Sequence, residues 1–454
     1  MKTFRFFKEH LSLTYTLFRW TLLSLPLALT IGSAVALFVK GLDLVTQTRF
    51  RNEWLIYMLP VAGLFIAWLY HTFGKDVEKG NNLIVEEIHN SGSGVPPKMG
   101  PLILISTWVT HLFGGSAGRE GTAVQIGGSI SGLFSRILKL KPVETRILLM
   151  AGIAGGFGAV FGTPVAGTIF AMEVLTIGRI QYDALIPCLV SAIVGDMVCR
   201  VWGVHHELFA LSFNESSVPL SLYNPHLLLL AKVVAAGAAF GLAALLFAEM
   251  EHKISSLSKH FIKSPYLRPV FGGFILIGLI FLLGRDYIGL GVYAAHSSSV
   301  TLFSAFHTGG AEPLSWFWKL LLTAITLGTG FKGGEVTPMF FIGATLGNVV
   351  AVLLDAPVDL FAALGFIAVF AGAANTPSAC TIMGVELFGS QFLMYYIVVC
   401  FTAYFFSGYS GIYASQRIGI PKLLDTGLIP ESTLRELSQR KEKIKERYKK
   451  IKRN

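Results

Sequence analysis

Apolar residues follow one another in runs along most of the chain. The long runs begin near Leu17, Trp54, Leu185, His226, Arg268 and Trp316. Each can supply about 20 residues, which is enough for a helix to cross about 30 Å of hydrocarbon. The pattern predicts a protein that crosses a lipid bilayer several times.

Shorter apolar runs, broken by glycine and polar residues, lie between the long ones. They cover residues 101–115, 121–134, 147–175, 339–354, 361–374 and 392–406. Broken backbone at membrane depth is tolerated only inside protein or beside a water-filled cavity. The sequence therefore predicts an all-α polytopic membrane protein of many short, tilted, partly broken helices, as is typical of a transporter or channel.

Two motifs occur once in each half of the chain. Gly-Arg-Glu-Gly-Thr at 118–122 matches Gly-Gly-Glu-Val-Thr at 333–337, and Thr-Pro-x-Ala-x-Thr-Ile-x-x-x-Glu occurs at both 163–173 and 376–386. The same order and similar spacing predict two inverted structural repeats. In transporters built this way, the ligand binds between the repeats near the membrane midplane.

The repeats set the expected division of the chain. We expect a cytoplasmic N-terminus (1–16), a first transmembrane repeat (17–203), a connecting loop (204–225), a second repeat (226–420) and a basic cytoplasmic tail (421–454). Lys and Arg at both ends place both termini in the cytoplasm by the positive-inside rule. The tail could also bind nucleic acid, but a membrane-adjacent helix fits its charge better, and we predict no nucleic-acid partner.

Composition excludes several classes of protein. Of the residues, 53% are hydrophobic and 14% charged, whereas soluble domains carry about 25% charged residues. The four cysteines lie in apolar runs and indicate neither a disulfide set nor a metal site. His206-Glu207 lacks the second histidine of a metalloprotease motif. We therefore expect no enzyme activity, no cofactor and no metal.

The glycine-rich breaks and one acidic residue suggest the chemistry. A helix N-terminus offers unpaired N–H groups and a partial positive charge, so Gly121 and the pair Gly333-Gly334 are candidate anion sites, although close packing alone would also explain them. An acidic side chain inside the membrane is a functional hypothesis by default. Glu120 is therefore the candidate gate, because protonation would neutralise it and admit an anion. A salt bridge to Arg119 or a plain helix cap is the alternative.

These motifs resemble the CLC family of chloride channels and proton-coupled anion antiporters. The resemblance rests on Gly-Arg-Glu-Gly at 118–121, Gly-Gly-x-x-x-Pro at 333–338 and Gly-Ile-Tyr at 411–413, and covers residues 17 to 420. It implies a homodimer in the cell membrane with one pathway per subunit. It also implies that Glu120 is the external gate, that the amides of Val336 and Thr337 line the anion site, and that Tyr413 contributes its hydroxyl.

Departures from the usual family pattern resemble its fluoride/proton antiporter branch. Thr122 replaces the usual proline, and Glu335 stands where chloride members have an apolar residue; both are candidates for selectivity or coupling. The usual anion-coordinating serine gives way to Asn81 at the matching spacing, whereas most of that branch has Met there. The Gly-Ser-Gly-Val-Pro at 92–96 lies too close to Glu120 in sequence and is interpreted as a decoy.

Many chloride/proton antiporters carry a second, inward-facing glutamate, and Val174 stands at that position here. Glu173 and Glu386 occupy matching repeat positions and are interpreted as structural. The first hypothesis is thus a fluoride/proton antiporter that exports fluoride. The alternative is a chloride channel or a chloride/proton antiporter.

Overall fold

The computed structural model describes residues 2–90, 94–206, 209, 211–213, 225–293, 299–423 and 431–440. Helices dominate these residues. In the first half they are α1 (Lys2–Arg51), α2 (Leu59–Phe73), α3 (Asn81–His89), α4 (Met99–Leu112), α5 (Glu120–Ile137), α6 (Pro142–Phe161), α7 (Pro164–Glu173) and α8 (Leu185–Val201). In the second half they are α9 (Pro225–Phe261), α10 (Leu267–Leu283), α11 (Ser315–Gly328), α12 (Val336–Leu354), α13 (Val358–Ala374), α14 (Pro377–Phe388) and α15 (Leu393–Phe406).

Among the described residues, six stretches of helix are long and apolar enough to cross a membrane. They lie at His10–Arg51, Glu53–Phe73, Pro142–Phe161, Tyr182–Val201, Leu227–Phe261 and Val336–Leu354. Four of the six correspond to predicted long runs. The runs near Arg268 and Trp316 were predicted to be as long, but α10 has 17 residues and α11 has 14. Gly284 follows α10 and Gly330 follows α11 at positive φ, so left-handed backbone ends both helices early.

Two predicted short runs correspond to helices with different bounds from those expected. The run at 147–175 divides into α6, with 20 residues, and α7, with 10. Gly162, at φ 72°, and Pro164 separate them, because the left-handed glycine ends one helix and proline suits the first turn of the next. The run at 339–354 belongs to α12, which begins three residues earlier at Val336.

Each half contains a pair of helices that cross at glycine. A Cβ at Gly127 of α5 would lie 2.0 Å from the carbonyl oxygen of Gly152 in α6. A Cβ at Gly343 of α12 would likewise lie 2.0 Å from the carbonyl oxygen of Gly365 in α13. No side chain fits at these distances. The two glycine crossings let the helix backbones touch. In lipid there is no hydrophobic driving force for helices to associate, so this close packing helps to hold them together.

The Thr-Pro motifs of the two halves cap each other. The Glu386 carboxylate accepts hydrogen bonds from the amides of Val165 (2.9 Å) and Ala166 (2.8 Å) in the first turn of α7. The Glu173 carboxylate accepts the matching bonds from Ser378 (3.1 Å) and Ala379 (2.8 Å) in α14. Each repeat therefore satisfies orphan N–H groups of the other, and this supports the structural interpretation of both glutamates.

The expected domain boundaries do not all coincide with the ends of helices or strands. Helix α1 runs without a break across the boundary between residues 16 and 17. Most of the loop 204–225 and most of the tail lie outside the described residues. A two-residue parallel ladder, β1 (Thr176–Ile177) with β2 (Arg417–Ile418), joins the segment between α7 and α8 to the segment that leads into the tail.

Candidate anion site

Two glycines bring the beginnings of α5 and α12 together. Gly118 and Gly334 exchange both of their backbone hydrogen bonds, at 2.6 and 2.9 Å from N to O. A Cβ at Gly334 would lie 2.8 Å from the amide nitrogen of Gly121, so only glycine allows this approach. The N-termini of α5 and α12 consequently meet, and their partial positive charges act on one small volume.

Glu120 occupies this volume. Its side chain is fully buried. One carboxylate oxygen accepts the amide hydrogen of Thr337 at 2.9 Å and that of Arg119 at 3.1 Å, and the other accepts the hydroxyl of Thr337. Thr337 lies in the first turn of α12. The carboxylate thus takes the position that an anion would take at this helix N-terminus.

The alternative explanations for Glu120 can now be compared with its contacts. The nearest approach of Arg119 Nε to a Glu120 carboxylate oxygen is 3.9 Å, which is the outer limit of an ion pair. The carboxylate does cap a helix, but the helix is α12 of the other repeat. A simple salt bridge therefore does not account for Glu120, and a cap between repeats does.

Asn81 and Glu335 lie on either side of Gly121. The Asn81 side-chain nitrogen lies 2.9 Å and a Glu335 carboxylate oxygen 3.5 Å from the position that a Cβ on Gly121 would take. Asn81 begins α3, directly after Gly80 at positive φ. Within the described part of the chain, its side-chain oxygen and that Glu335 oxygen are buried without a hydrogen-bond partner. Two acidic groups and one amide thus surround the start of α5.

Val336 and Tyr413 complete the predicted set. Val336 is the first residue of α12 and is buried, so its amide lies at the same helix end as that of Thr337. Tyr413 is buried, and its ring packs edge-on against Phe170, with centroids 6.3 Å apart. Val336 and Thr337 therefore lie together at the beginning of α12, where Thr337 binds Glu120.

Thr122 and the decoy motif lie apart from this centre. The Thr122 hydroxyl pairs with the hydroxyl of Thr107 in α4, at 2.7 Å. Residues 92 and 93 lie outside the described residues, but a Cβ at Gly132 would lie 2.3 Å from the carbonyl oxygen of Val95. Gly132 is twelve residues beyond Glu120, about 18 Å along α5 at 1.5 Å per residue.

Sequence reasoning did not find every polar residue of this region. It missed Thr107 and also a buried basic group formed by Arg49, His111 and Lys319. Arg49 donates to the carbonyl of His111 at 2.9 Å, and Lys319 donates to the carbonyl of Gly289 at 2.7 Å. A lone basic residue in a long apolar run was the available signal for Lys319.

A family model described as voltage gated chloride channel matches residues 62–408 of this chain. The chain belongs to the CLC family. This membership establishes a multi-pass membrane protein, and the sequence resemblance is confirmed.

Individual relatives show which members of the CLC family this chain is similar to. The chain is 45% identical over 421 residues, 91% of its length and 90% of the relative's, to a protein of Pseudomonas syringae pv. tomato named chloride/fluoride channel protein. It is 25% identical over 425 residues, 86% of each chain, to the H⁺/Cl⁻ exchange transporter ClcA of Vibrio cholerae.

A solved structure supports membership of the CLC family. The crystal structure of a CLC-type fluoride/proton antiporter superposes with a TM-score of 0.82 at 35% identity and covers 89% of this chain and 99% of that one. A cyanobacterial Cl⁻/H⁺ antiporter superposes with a TM-score of 0.68 at 20% identity, covers 86% of this chain and 94% of its own, and shows the fold alone. The prediction of an all-α polytopic fold with two inverted repeats is confirmed.

Proposed function

We propose that this CLC protein exports fluoride in exchange for protons and that Glu120 is the gate. The observation that carries the proposal is the Glu120 carboxylate bound to both the amide and the hydroxyl of Thr337. Hydrogen bonds to a charged group are worth about 1.5–3 kcal/mol each. The ionised side chain therefore competes with an anion for the same donors.

Protonation changes this competition. A protonated carboxyl has no charge to attract the N-terminus of α12, and it carries a hydrogen where it previously accepted one. Glu120 then leaves Thr337, and the anion takes its place. Since the same group binds the proton and blocks the anion, the two movements are coupled in opposite directions.

The surrounding donors suit a small, strongly hydrated anion such as fluoride. The Asn81 amide, the Thr337 hydroxyl, the Tyr413 hydroxyl and the amides of Gly121 and Val336 would replace its water. Glu335 lies beside Gly121, and its charge would act against a loosely bound anion such as chloride. The names of the relatives, one a chloride/fluoride channel protein and one a fluoride/proton antiporter, support the same substrate.

The proposal includes the arrangement in the cell membrane. Both termini lie in the cytoplasm, since Lys and Arg concentrate there, and residues 17–203 and 226–420 form the two repeats. Two subunits associate, each with its own pathway. Glu335 and Thr122 affect selectivity or coupling, Glu335 through its charge and Thr122 through its contact with Thr107.

Transport by the purified protein in liposomes tests the proposal. Liposomes loaded with fluoride or chloride are diluted into salt-free buffer, and efflux and external pH are followed with ion-selective and pH electrodes. Fluoride efflux with simultaneous proton uptake is expected, with chloride at least about tenfold slower, a difference of about 1.4 kcal/mol. Chloride efflux as fast as that of fluoride would favour the chloride transporter. Fluoride efflux without proton movement would favour a channel.

A further inference from the structure

A turn that begins at Tyr413 and ends at Gln416 lies against α3. The amide of Gln416 donates to the carbonyl of Tyr413 at 3.0 Å, which closes the turn. Ser415, inside the turn, is buried. Its amide donates to the side-chain oxygen of Asn82 at 2.9 Å, and its hydroxyl donates to a carboxylate oxygen of Glu86 at 2.9 Å. Asn82 and Glu86 are about one turn apart on α3, so a single face of that helix binds Ser415 twice.

Both sides of this contact adjoin residues of the anion site. Asn82 directly follows Asn81, whose side-chain nitrogen lies 2.9 Å from the position that a Cβ on Gly121 would take. Ser415 lies two residues after Tyr413. The bond between Ser415 and Asn82 therefore joins, across 333 positions of sequence, the helix that carries the Asn81 amide to the turn that carries the Tyr413 hydroxyl.

The end of the turn has a separate anchor. The side-chain nitrogen of Gln416 donates to the carbonyls of Val174 (2.8 Å) and Ala374 (3.1 Å), which lie at the ends of α7 and α13. Its side-chain oxygen accepts a hydrogen bond from the Asn375 amide at 3.0 Å. Gln416 thus fixes the end of the turn to helices of both repeats, and Ser415 fixes its orientation towards α3.

The beginning of the basic tail closes over the same contact. Residues 434–440 are helical, and the amide of Arg435 donates to the carbonyl of Ala414 in the turn at 3.0 Å. The guanidinium of Arg435 donates to the Glu86 carboxylate oxygen that Ser415 also binds, at 3.2 Å. Exposed ion pairs of this kind contribute little to stability. The buried hydroxyl of Ser415 therefore matters more to the contact than the exposed arginine does.

The spacing between the Asn81 amide and the Tyr413 hydroxyl bears on which anion fits. Fluoride is small and strongly hydrated, so the donors that replace its water must approach it closely. Chloride tolerates a looser shell. Binding groups have to be held within about 0.5 Å of their working positions, and selectivity depends on the size and the donors of the site. A turn that moves away from α3 would thus weaken fluoride binding more than chloride binding.

We infer that Ser415 is a positioning residue: by binding α3 it sets the spacing between Asn81 and Tyr413 and thereby favours fluoride over chloride. The inference rests on the proposed function, in which both of those side chains bind the anion. Ser415 acts through them and through its two partners on α3, and the first helical residues of the tail support it from the cytoplasmic side.

Ser415→Ala tests the inference in liposomes loaded with fluoride or chloride at a series of concentrations. Initial efflux rates give a half-saturating concentration and a maximal rate for each anion. The variant keeps the amide bond to Asn82 and loses the hydroxyl bond to Glu86. The half-saturating fluoride concentration should rise about three- to tenfold, less than the full effect of losing a hydrogen bond to a charged group because one bond to α3 remains. The half-saturating chloride concentration and both maximal rates should stay within about twofold of wild type.

Ser410→Ala is the matched control. Its hydroxyl donates to a carboxylate oxygen of Glu249 at 3.0 Å, so the substitution removes the same kind of bond three residues before Tyr413. Glu249 belongs to α9 and not to α3. Both half-saturating concentrations should therefore stay within about twofold of wild type.

Glu86→Ala removes the other half of the contact. The Glu86 side chain is 29% exposed, so its truncation leaves no large buried cavity, and this variant decides the question if Ser415→Ala aggregates. Because both substitutions break the same hydrogen bond, the double variant should raise the half-saturating fluoride concentration by no more than about twofold beyond the larger single effect. Effects that multiply would show that the two residues act independently, against the inference.

The possible outcomes separate this inference from the proposed function. If wild type prefers fluoride and Ser415→Ala keeps that preference, the inference is wrong and the proposed function stands. If Ser415→Ala slows both anions equally and lowers the thermal midpoint, the contact is structural only and the inference is also wrong. If wild type carries chloride as readily as fluoride, both proposals fail.

Discussion

The two repeats are equivalent at their caps and different at the anion site. Glu173 and Glu386 bind each other's helices with matching pairs of amides. Glu120 and Glu335 also occupy matching positions in sequence, but only Glu120 crosses to the opposite helix. Where both glutamates bind backbone, the symmetry is structural. Glu120 binds the opposite helix, whereas one carboxylate oxygen of Glu335 has no hydrogen-bond partner among the described residues. This difference allows the pair to change state, which a gate requires.

The largest expected effect concerns the glycine crossings, which occur in both repeats. Gly127→Ala and Gly343→Ala each place a methyl group 2.0 Å from a carbonyl oxygen of the crossing helix. Both should destabilise the protein by about 3 kcal/mol or more, the upper range for overpacking. The yield of monodisperse protein and its thermal midpoint measure this. Gly278→Ala is the control, because no atom lies within 4 Å of the added carbon. Normal folding of only one of the two variants would break the equivalence.

A smaller effect separates the anion site from the rest of α12. Thr337→Val removes the hydroxyl that binds Glu120 and that we propose binds fluoride. Loss of a hydrogen bond to a charged group, about 1.5–3 kcal/mol, should slow fluoride exchange by about tenfold or more. Thr345→Val on the same helix is the control, since that hydroxyl binds only backbone carbonyls. Equal exchange rates in the two variants would remove Thr337 from the site.

Removing the charge of either capping glutamate should lower the stability of the protein by a similar amount and leave the coupling of fluoride to protons unchanged. Glu173→Gln and Glu386→Gln each remove a charge and one acceptor at a helix N-terminus, and each should cost about 1–2 kcal/mol of stability. Thermal unfolding in detergent measures the change, and liposome assays measure the fluoride-to-proton ratio. A changed ratio in Glu173→Gln would mean that this residue carries protons after all.

The smallest expected effect on stability concerns the residue that precedes the Thr-Pro motif in each half. In the second half this is Asn375, whose side-chain oxygen accepts from Lys422 Nζ at 2.6 Å, whereas in the first half it is Gly162. Burial lowers the pKa of Lys422 to about 7. Between pH 7 and about 10 the unfolded chain binds a proton at this residue that the folded chain lacks, so stability should rise with pH.

Lys422→Met should remove the part of the rise in stability with pH that Lys422 contributes. Thermal midpoints of wild type and variant between pH 7 and 9 give the comparison. If the two midpoints rise in parallel, the lowered pKa of Lys422 does not contribute to stability.

The repeated motifs predicted the general arrangement because each motif carries its local structure with it. Proline after threonine starts α7 and α14, and the spacing to the glutamate places Asn81 at the start of a helix beside α5. The contact between Glu120 and Thr337 could not be predicted, because it joins residues 217 positions apart. A helix-capping residue near its own helix usually binds that helix, and here the close approach of Gly118 and Gly334 redirects it.

The helix lengths near Arg268 and Trp316 were wrong because apolar composition does not record where a left-handed glycine ends a helix.

The central claim is that one carboxylate, Glu120, both blocks the anion and carries the proton. Its most direct measurement is fluoride and proton flux through Glu120→Gln in liposomes, beside wild type and Glu386→Gln. A pH gradient should drive fluoride movement through wild type and Glu386→Gln but not through Glu120→Gln. Proton movement still coupled to fluoride in Glu120→Gln would contradict the account.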